Sequence, residues 1–110
     1  MKKWDVQLSE PAENDLDDIY KYIEGVLMEP IVAWKQIERI RNVVLSLDQM
    51  PERGSLYPDE PWKSRGLRRL FADNYCILYE INEATDTVDV IAILYSKRKI
   101  DDVLNQKDRL

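Results

Sequence analysis

Two runs in the C-terminal half of this 110-residue chain, NYCILYEI at 74–81 and TVDVIAILY at 87–95, constrain the fold more than any other feature. Both are rich in β-branched and aromatic residues, so both read as strands. Their apolar side chains stand at consecutive positions, not only at alternate ones. Successive side chains of a strand point to opposite faces, so both faces of these strands need cover. They belong in the middle of a sheet. The connection between them, NEATD at 82–86, is short enough for a hairpin turn.

The rest of the chain supplies neighbours and cover. KWDVQL at 3–8 alternates weakly and suits a first strand. Ser9 is a good helix N-cap, and Pro11 falls in the first turn, where a missing N–H is harmless. Ala12, Leu16, Ile19, Tyr20, Ile23 and Leu27 then keep helical spacing, with acids on the opposite face. Those acids crowd the N-terminal half, where they complement the helix dipole. Glu29–Pro30 breaks this helix and starts another, whose stripe is Ala33, Ile37, Ile40, Val44 and Leu47; Met50–Pro51 ends it. Two amphipathic helices joined by so short a break form an antiparallel hairpin.

Residues 51–64, with Pro51, Gly54, Pro58 and Pro61, read as loop. A strand at about 65–71 follows, turning at Ala72–Asp73 into the 74–81 strand. Ser96 to Lys99 leaves the sheet, and IDDVL at 100–104 makes a final helical turn. The expected order is β-α-α-β-β-β(-α). That is an α+β fold in one domain over 1–110, a helical hairpin packed on a small, mainly antiparallel sheet.

Composition removes several chemistries. Histidine is absent and Cys76 is the only cysteine. No internal disulfide, Cys/His metal set, Ser-His-Asp triad or Cys–His nucleophile pair can be assembled. We expect no metal site and no cofactor. The N-terminal MKKWDVQLSEPAE lacks an apolar signal core, and no apolar run is long enough to span a bilayer, so a cytoplasmic protein with no membrane partner is expected.

The net charge of −5 conceals a segregation. Residues 1–29 carry eight acids against three lysines, whereas residues 30–110 carry thirteen acids and thirteen bases. Seven of those bases fall in two clusters without an acid: Lys63, Arg65, Arg68 and Arg69, then Lys97, Arg98 and Lys99. Local field matters more to a partner than overall pI. One reading is a convergent phosphate site, because the start of one strand and the end of the strand two away can share an edge and Arg offers a planar fork to phosphate oxygens. The other is a solvated strand edge whose charges deter aggregation. Among the interspersed aromatics, Tyr75 and Tyr79 share strand parity with Ile77 and Ile81 and suit a core. Tyr95, beside the turn carrying Arg98, is the better platform for a nucleobase. Cys76 reads as a small packing residue, or as a reactive thiol if neighbouring arginines and solvent reach it.

The strings LSEPAENDLDDIYKYI, PERGSLYPDEPW, GLRRLFADNYCILYEI and TVDVIAILYSKRKI, followed by a last short helix, resemble in that order the RelE/ParE superfamily of toxins. These are the toxin components of bacterial type II toxin–antitoxin (plasmid stabilisation) systems. The N-terminal helix is more similar to the ParE side, and the SKR turn is common to both branches. The resemblance implies growth arrest by blocking DNA gyrase or by ribosome-dependent mRNA cleavage. It also implies a cognate antitoxin that neutralises the toxin in a hetero-oligomer. If the chain is enzymatic, it implies a metal-independent endoribonuclease (an mRNA interferase) that uses cations to stabilise transition-state charge. On the family pattern Arg98, Arg69 and Arg68 are the catalytic candidates. Lys63, Arg65, Lys97, Lys99 and Tyr95 are the candidates for contact with nucleic acid or target. Two positions depart from the pattern. Cys76 stands where many members carry an arginine, and Val103–Leu104 stand near the C-terminal aromatic of RelE. These departures leave a further alternative, a non-toxic member that only binds antitoxin as a co-repressor module.

Overall fold

In the computed structural model, which describes residues 2–96 and 100–105, strand β1 (Asp5–Leu8) leads into helix α1 (Glu10–Lys21). Ser9 caps α1 as its sequence predicts: its Oγ accepts the Ala12 amide at 3.2 Å. The helix widens into a π turn at Tyr22–Val26, and Met28 reverses the chain in the left-handed region at φ 56°. Helix α2 (Pro30–Leu45) returns antiparallel to α1, completing the expected hairpin.

The connection to the sheet departs from a featureless loop. Two 3-10 turns (Ser46–Asp48 and Pro51–Arg53) lead to a two-residue strand β2 (Ser55–Leu56), and Trp62–Arg65 forms a short helix α3. The second predicted strand, at about 65–71, therefore starts late. Gly66, at φ 89°, ends α3 with its amide on the Lys63 carbonyl, and strand β3 runs only over Arg68–Ala72. Only glycine takes that φ without penalty, so Arg65 is helical, not extended. Strands β4 (Tyr75–Asn82) and β5 (Thr87–Tyr95) and helix α4 (Ile100–Leu104) lie where the sequence places them.

The sheet order is β1-β5-β4-β3-β2, with β1 parallel to β5 and every other pairing antiparallel. The two strands that are apolar on both faces, β4 and β5, are interior, as both-sided burial requires. Between Leu78 and Tyr79 the register slips: Leu78 faces Ala92 and Tyr79 faces Val90, leaving Ile91 as an extra residue. This bulge shifts the parity of β5, so Val90 lies in one core layer and both Ile91 and Ala92 in the other.

The helical hairpin covers one face, where Leu16, Ile40 and Val44 bury against Ile77, Tyr79, Val90 and Ile93. The opposite face is covered by the Tyr57–Leu67 segment and by α4, whose Val103 and Leu104 pack with Cys76, Leu78 and Leu94. Val103 and Leu104 thus act as core residues, which accounts physically for an apolar pair in place of an aromatic.

Candidate functional site

Of the two basic residues of β3, Arg68 is committed to structure. Arg68 Nη1 donates to the carbonyl oxygens of Glu52 at 3.1 Å and Gly54 at 2.7 Å. Tyr79, fully buried, donates its hydroxyl to the Pro51 carbonyl at 2.6 Å and accepts the Gly54 amide at 3.1 Å. Burial pushes the Tyr79 phenol above its ordinary pKa, opposed by the Gly54 N–H and by nearby arginines. A Cβ on Gly54 would overlap Tyr79 Oη and stand 2.8 Å from the Arg69 carbonyl, so only glycine admits this approach. Arg53 completes the latch from the other side, donating to the carbonyls of Ser46 and Gln49 and to Ser46 Oγ. Three side chains thereby fasten an irregular segment whose backbone has few neighbours of its own.

Arg69 points to the opposite face. Its guanidinium lies 5.8 Å from the Tyr57 ring and 5.9 Å from the half-exposed Phe71 ring, both within cation–π range. Its Nε is buried without a hydrogen-bond partner among the described residues. Cys76 lies on the same face with no exposed surface, and burial raises its thiol to about 11, only partly offset by Arg69. Such a thiol is inert at neutral pH. Arg65, displaced onto α3, pairs with Glu80 through Nη2 at 3.2 Å, and Lys63 is exposed on the same helix.

The start of β3 and the end of β5 do not share an edge as the strand argument expects. Arg68 stands opposite Tyr79, and Tyr79 opposite Val90, so the start of β3 lies beside the middle of β5. Tyr95 is roughly 17 Å farther along, at about 3.4 Å per residue. The end of β5 instead adjoins the β3–β4 turn, where the Ser96 amide donates to the Asn74 carbonyl. The error is one of direction: strands two apart in a meander run the same way, so a start and an end are opposed. Lys97, Arg98 and Lys99 lie outside the described residues. Among the described residues no group of three or more His, Cys, Asp or Glu could hold a metal, and no helix is long and apolar enough to cross a membrane.

Tyr95 belongs to a different feature. A groove of about 720 Å³ opens between the hairpin and the end of β5. Ile19, Tyr22, Leu27 and Val32 line its helical wall; Tyr75, Ile93 and Tyr95 line its sheet wall. Tyr75 and Tyr95 meet edge to face at 5.9 Å. Asp15 and Asp18 lie along it; Asp15 Oδ2 accepts the Ile93 amide at 2.9 Å, and Asp18 is exposed. Beyond the groove the hairpin tip is apolar and open: Val26, Leu27, Met28, Ile31 and Trp34 are each more than half exposed. Large exposed apolar residues gathered around one turn are a feature that interaction sites of small domains share. Reading the stripe of core positions alone overlooks this tip. Its signal is the set of large apolar residues flanking Glu29–Pro30, of which Val26, Met28, Ile31 and Trp34 fall off that stripe; Leu27, expected on the stripe, is exposed.

The ordered elements and their pairing agree with known proteins. A chromosomal ParDE toxin–antitoxin system from P. aeruginosa is 23% identical, with a TM-score of 0.72 over 88% of this chain and 100% of that one. The toxin–antitoxin complex RelBE2 from Mycobacterium tuberculosis is 18% identical, with a TM-score of 0.63 over 84% of this chain and 98% of that one. A substituted form of the E. coli toxin RelE in the free state is 13% identical, with a TM-score of 0.63 over 98% and 99%. At these identities the likeness is one of fold. A search of curated protein sequences gives no match. The family model for the ParE toxin of the type II toxin–antitoxin system parDE matches residues 6–100. Nearly the whole chain is therefore accounted for, and it belongs to the ParE toxin family within the RelE/ParE superfamily of type II toxin–antitoxin toxins.

Proposed function

We propose that this toxin arrests growth by binding and blocking DNA gyrase in the cytoplasm, without cleaving RNA, and that a cognate antitoxin neutralises it by covering the apolar hairpin tip. The observation that carries the choice of mechanism is the position of the cations. Arg68 is held by the Glu52 and Gly54 carbonyls, and buried Cys76 occupies the place of a family arginine. Arg69 is left as the β3 cation with no hydrogen-bond or ion-pair partner among the described residues. A phosphate-cleaving centre needs several preorganised donors around one developing charge. One arginine flanked by two rings is a binding contact. Arg98, with Lys97 and Lys99, supplies the remaining basic surface for the target in this reading.

The antitoxin part rests on the exposed tip. Trp34, Met28 and Ile31 are 61%, 78% and 70% exposed, a pattern that a partner's apolar segment would cover. Toxin and antitoxin would then form a hetero-oligomer.

The deciding experiment is a short induction of the wild-type chain, with transcript ends mapped in cells and purified gyrase assayed for supercoiling. Intact transcripts with blocked supercoiling are expected. Codon-phased cleavage with normal supercoiling would assign an mRNA interferase instead, with Arg98 and Arg69 as its first candidates. Normal growth with antitoxin binding retained would leave only a binding module.

A further inference from the structure

The accessible sulfur of this chain lies at the hairpin tip. Cys76, the single thiol, has no exposed surface and stays protonated through neutral pH, so an oxidant neither reaches it nor finds a thiolate. The thioethers differ. Met28 is 78% exposed, more than any other large apolar side chain among the described residues. Its left-handed backbone is flanked by the bonds that end the first arm of the hairpin: the Leu27 amide on the Tyr22 carbonyl at 3.1 Å, and the Glu29 amide on the Ile23 carbonyl at 3.0 Å. Val26, Leu27 and Ile31, also exposed, are its apolar neighbours in the chain. Met50 is exposed too, but the 16 residues of α2 stand between the two, about 24 Å of helix at about 1.5 Å per residue.

We propose that Met28 is an oxidation site that sets the affinity of the tip for its partner: a peroxide converts the thioether to the sulfoxide, and the toxin then escapes neutralisation. The inference rests on the reading that an antitoxin covers the tip. In the reaction a lone pair of Met28 Sδ attacks one peroxide oxygen, and the S–O bond forms as the O–O bond breaks. The second oxygen leaves as water, taking the proton of the first. Sulfur loses an electron pair and the peroxide gains it. The product is a polar hydrogen-bond acceptor where the thioether was apolar. Water solvates it on the free tip, whereas under an apolar segment it has no donor, so the cost falls on the complex and not on the fold. Val26, Leu27 and Ile31 carry no group that peroxide attacks, so the change resides in one side chain. A cover that excludes water also excludes peroxide, so bound toxin is protected and free toxin is converted. Methionine sulfoxide reductases, with a thiol as reductant, reverse the step.

The test follows one sulfur. Free toxin, and its complex with the protein encoded by the adjacent reading frame, are treated with hydrogen peroxide, and the oxygen gained by the Met28 peptide is read by mass spectrometry. Met28 should be oxidised readily in the free toxin and slowly in the complex. In titration calorimetry the oxidised wild type should bind about tenfold more weakly than the untreated protein, as one unpaired polar group in an apolar contact requires. Its melting temperature should hold, and a methionine sulfoxide reductase with a thiol should restore the affinity. Met28→Leu, whatever its starting affinity, should bind equally before and after peroxide. Met50→Leu should lose affinity on treatment as the wild type does. Ile31→Glu, titrated alongside, reports on the tip itself. Unchanged affinity of toxin fully oxidised at Met28, with Ile31→Glu binding weakly, overturns the oxidation site and leaves the antitoxin reading intact. Unchanged affinity in both overturns both. A loss that persists in Met28→Leu, or that follows a fall in melting temperature, assigns the effect elsewhere and overturns the proposal.

Discussion

Arg68 and Gly54 are joined by a 2.7 Å hydrogen bond from guanidinium to carbonyl, which makes Arg68 a fastener for the loop ahead of β2. Replacing it with alanine leaves the exposed Glu52 carbonyl and the partly buried Gly54 carbonyl to water and should cost about 1.5–3 kcal/mol of stability, the usual range for hydrogen bonds to a charged group. Arg68→Lys should recover part of that. Loss of growth arrest in Arg68→Ala should track the folded fraction in a urea melt. Activity lost at unchanged stability would return Arg68 to the target-contacting residues.

Tyr79 acts on the same segment from within the core. Tyr79→Phe keeps the ring but strands the Gly54 amide and the Pro51 carbonyl, which it bonds at 3.1 and 2.6 Å. A cost of about 1–3 kcal/mol is expected, because buried groups lose their partner without water to replace it. Gly54→Ala should be worse, since the Arg69 carbonyl 2.8 Å away is backbone and cannot swing aside. A thermal melt of Tyr79→Phe within a few tenths of a kcal/mol of wild type would show that the latch contributes little.

Much of this architecture was legible from spacing and caps. Ser9 and Pro11 located α1, Glu29–Pro30 located the turn, and the doubly apolar runs placed β4 and β5 inside the sheet. The bulge at Ile91 was not legible, because a run apolar on both faces gives no parity to lose. Nor was α3, since Trp62–Arg65 carries no stripe and is ended by the left-handed backbone of Gly66. The role of Arg68 was hidden for a different reason. Its partners are backbone carbonyls 14 and 16 residues away, and no residue type announces a carbonyl. The groove at Tyr95 was half visible. The tyrosine drew notice, while Asp15 and Asp18 read as part of a solvated helix face.

Cys76 offers a test by pH as well as by substitution. Its folded-state pKa of about 11 lies above the unfolded value of about 9, so the folded state favours the protonated thiol. That contribution is fully present below about pH 9 and is lost as pH rises through 11. The sum is roughly 2–3 kcal/mol at about 1.4 kcal/mol per unit. Tyr75 and Tyr79, both raised by burial, act in the same direction, so the Cys76 part is read as the difference from Cys76→Ala in denaturant titrations between pH 8 and 11. Cys76→Arg should not restore catalysis. A guanidinium placed in this fully buried position would unfold the chain before it met a phosphate. Rapid labelling of the native thiol would contradict all of this.

The hairpin tip yields a prediction of opposite sign for stability and binding. Ile31 and Trp34 are 70% and 61% exposed, so they give little to the isolated fold. Ile31→Glu, two positions into α2, also places an acid in a helical first turn that has none, where the dipole favours it. Its melting temperature should hold or rise slightly. Antitoxin affinity should fall by at least tenfold, because burying an unpaired carboxylate against an apolar segment costs more than the contact returned. Trp34→Ala should weaken binding to a similar degree through lost buried area, with no change in salt dependence. Wild-type affinity itself should change little between low and high salt, since apolar burial dominates the contact and exposed charges are screened. If both variants bind the protein encoded by the adjacent frame as tightly as wild type does, the antitoxin lies elsewhere on the toxin and the apolar tip serves another contact.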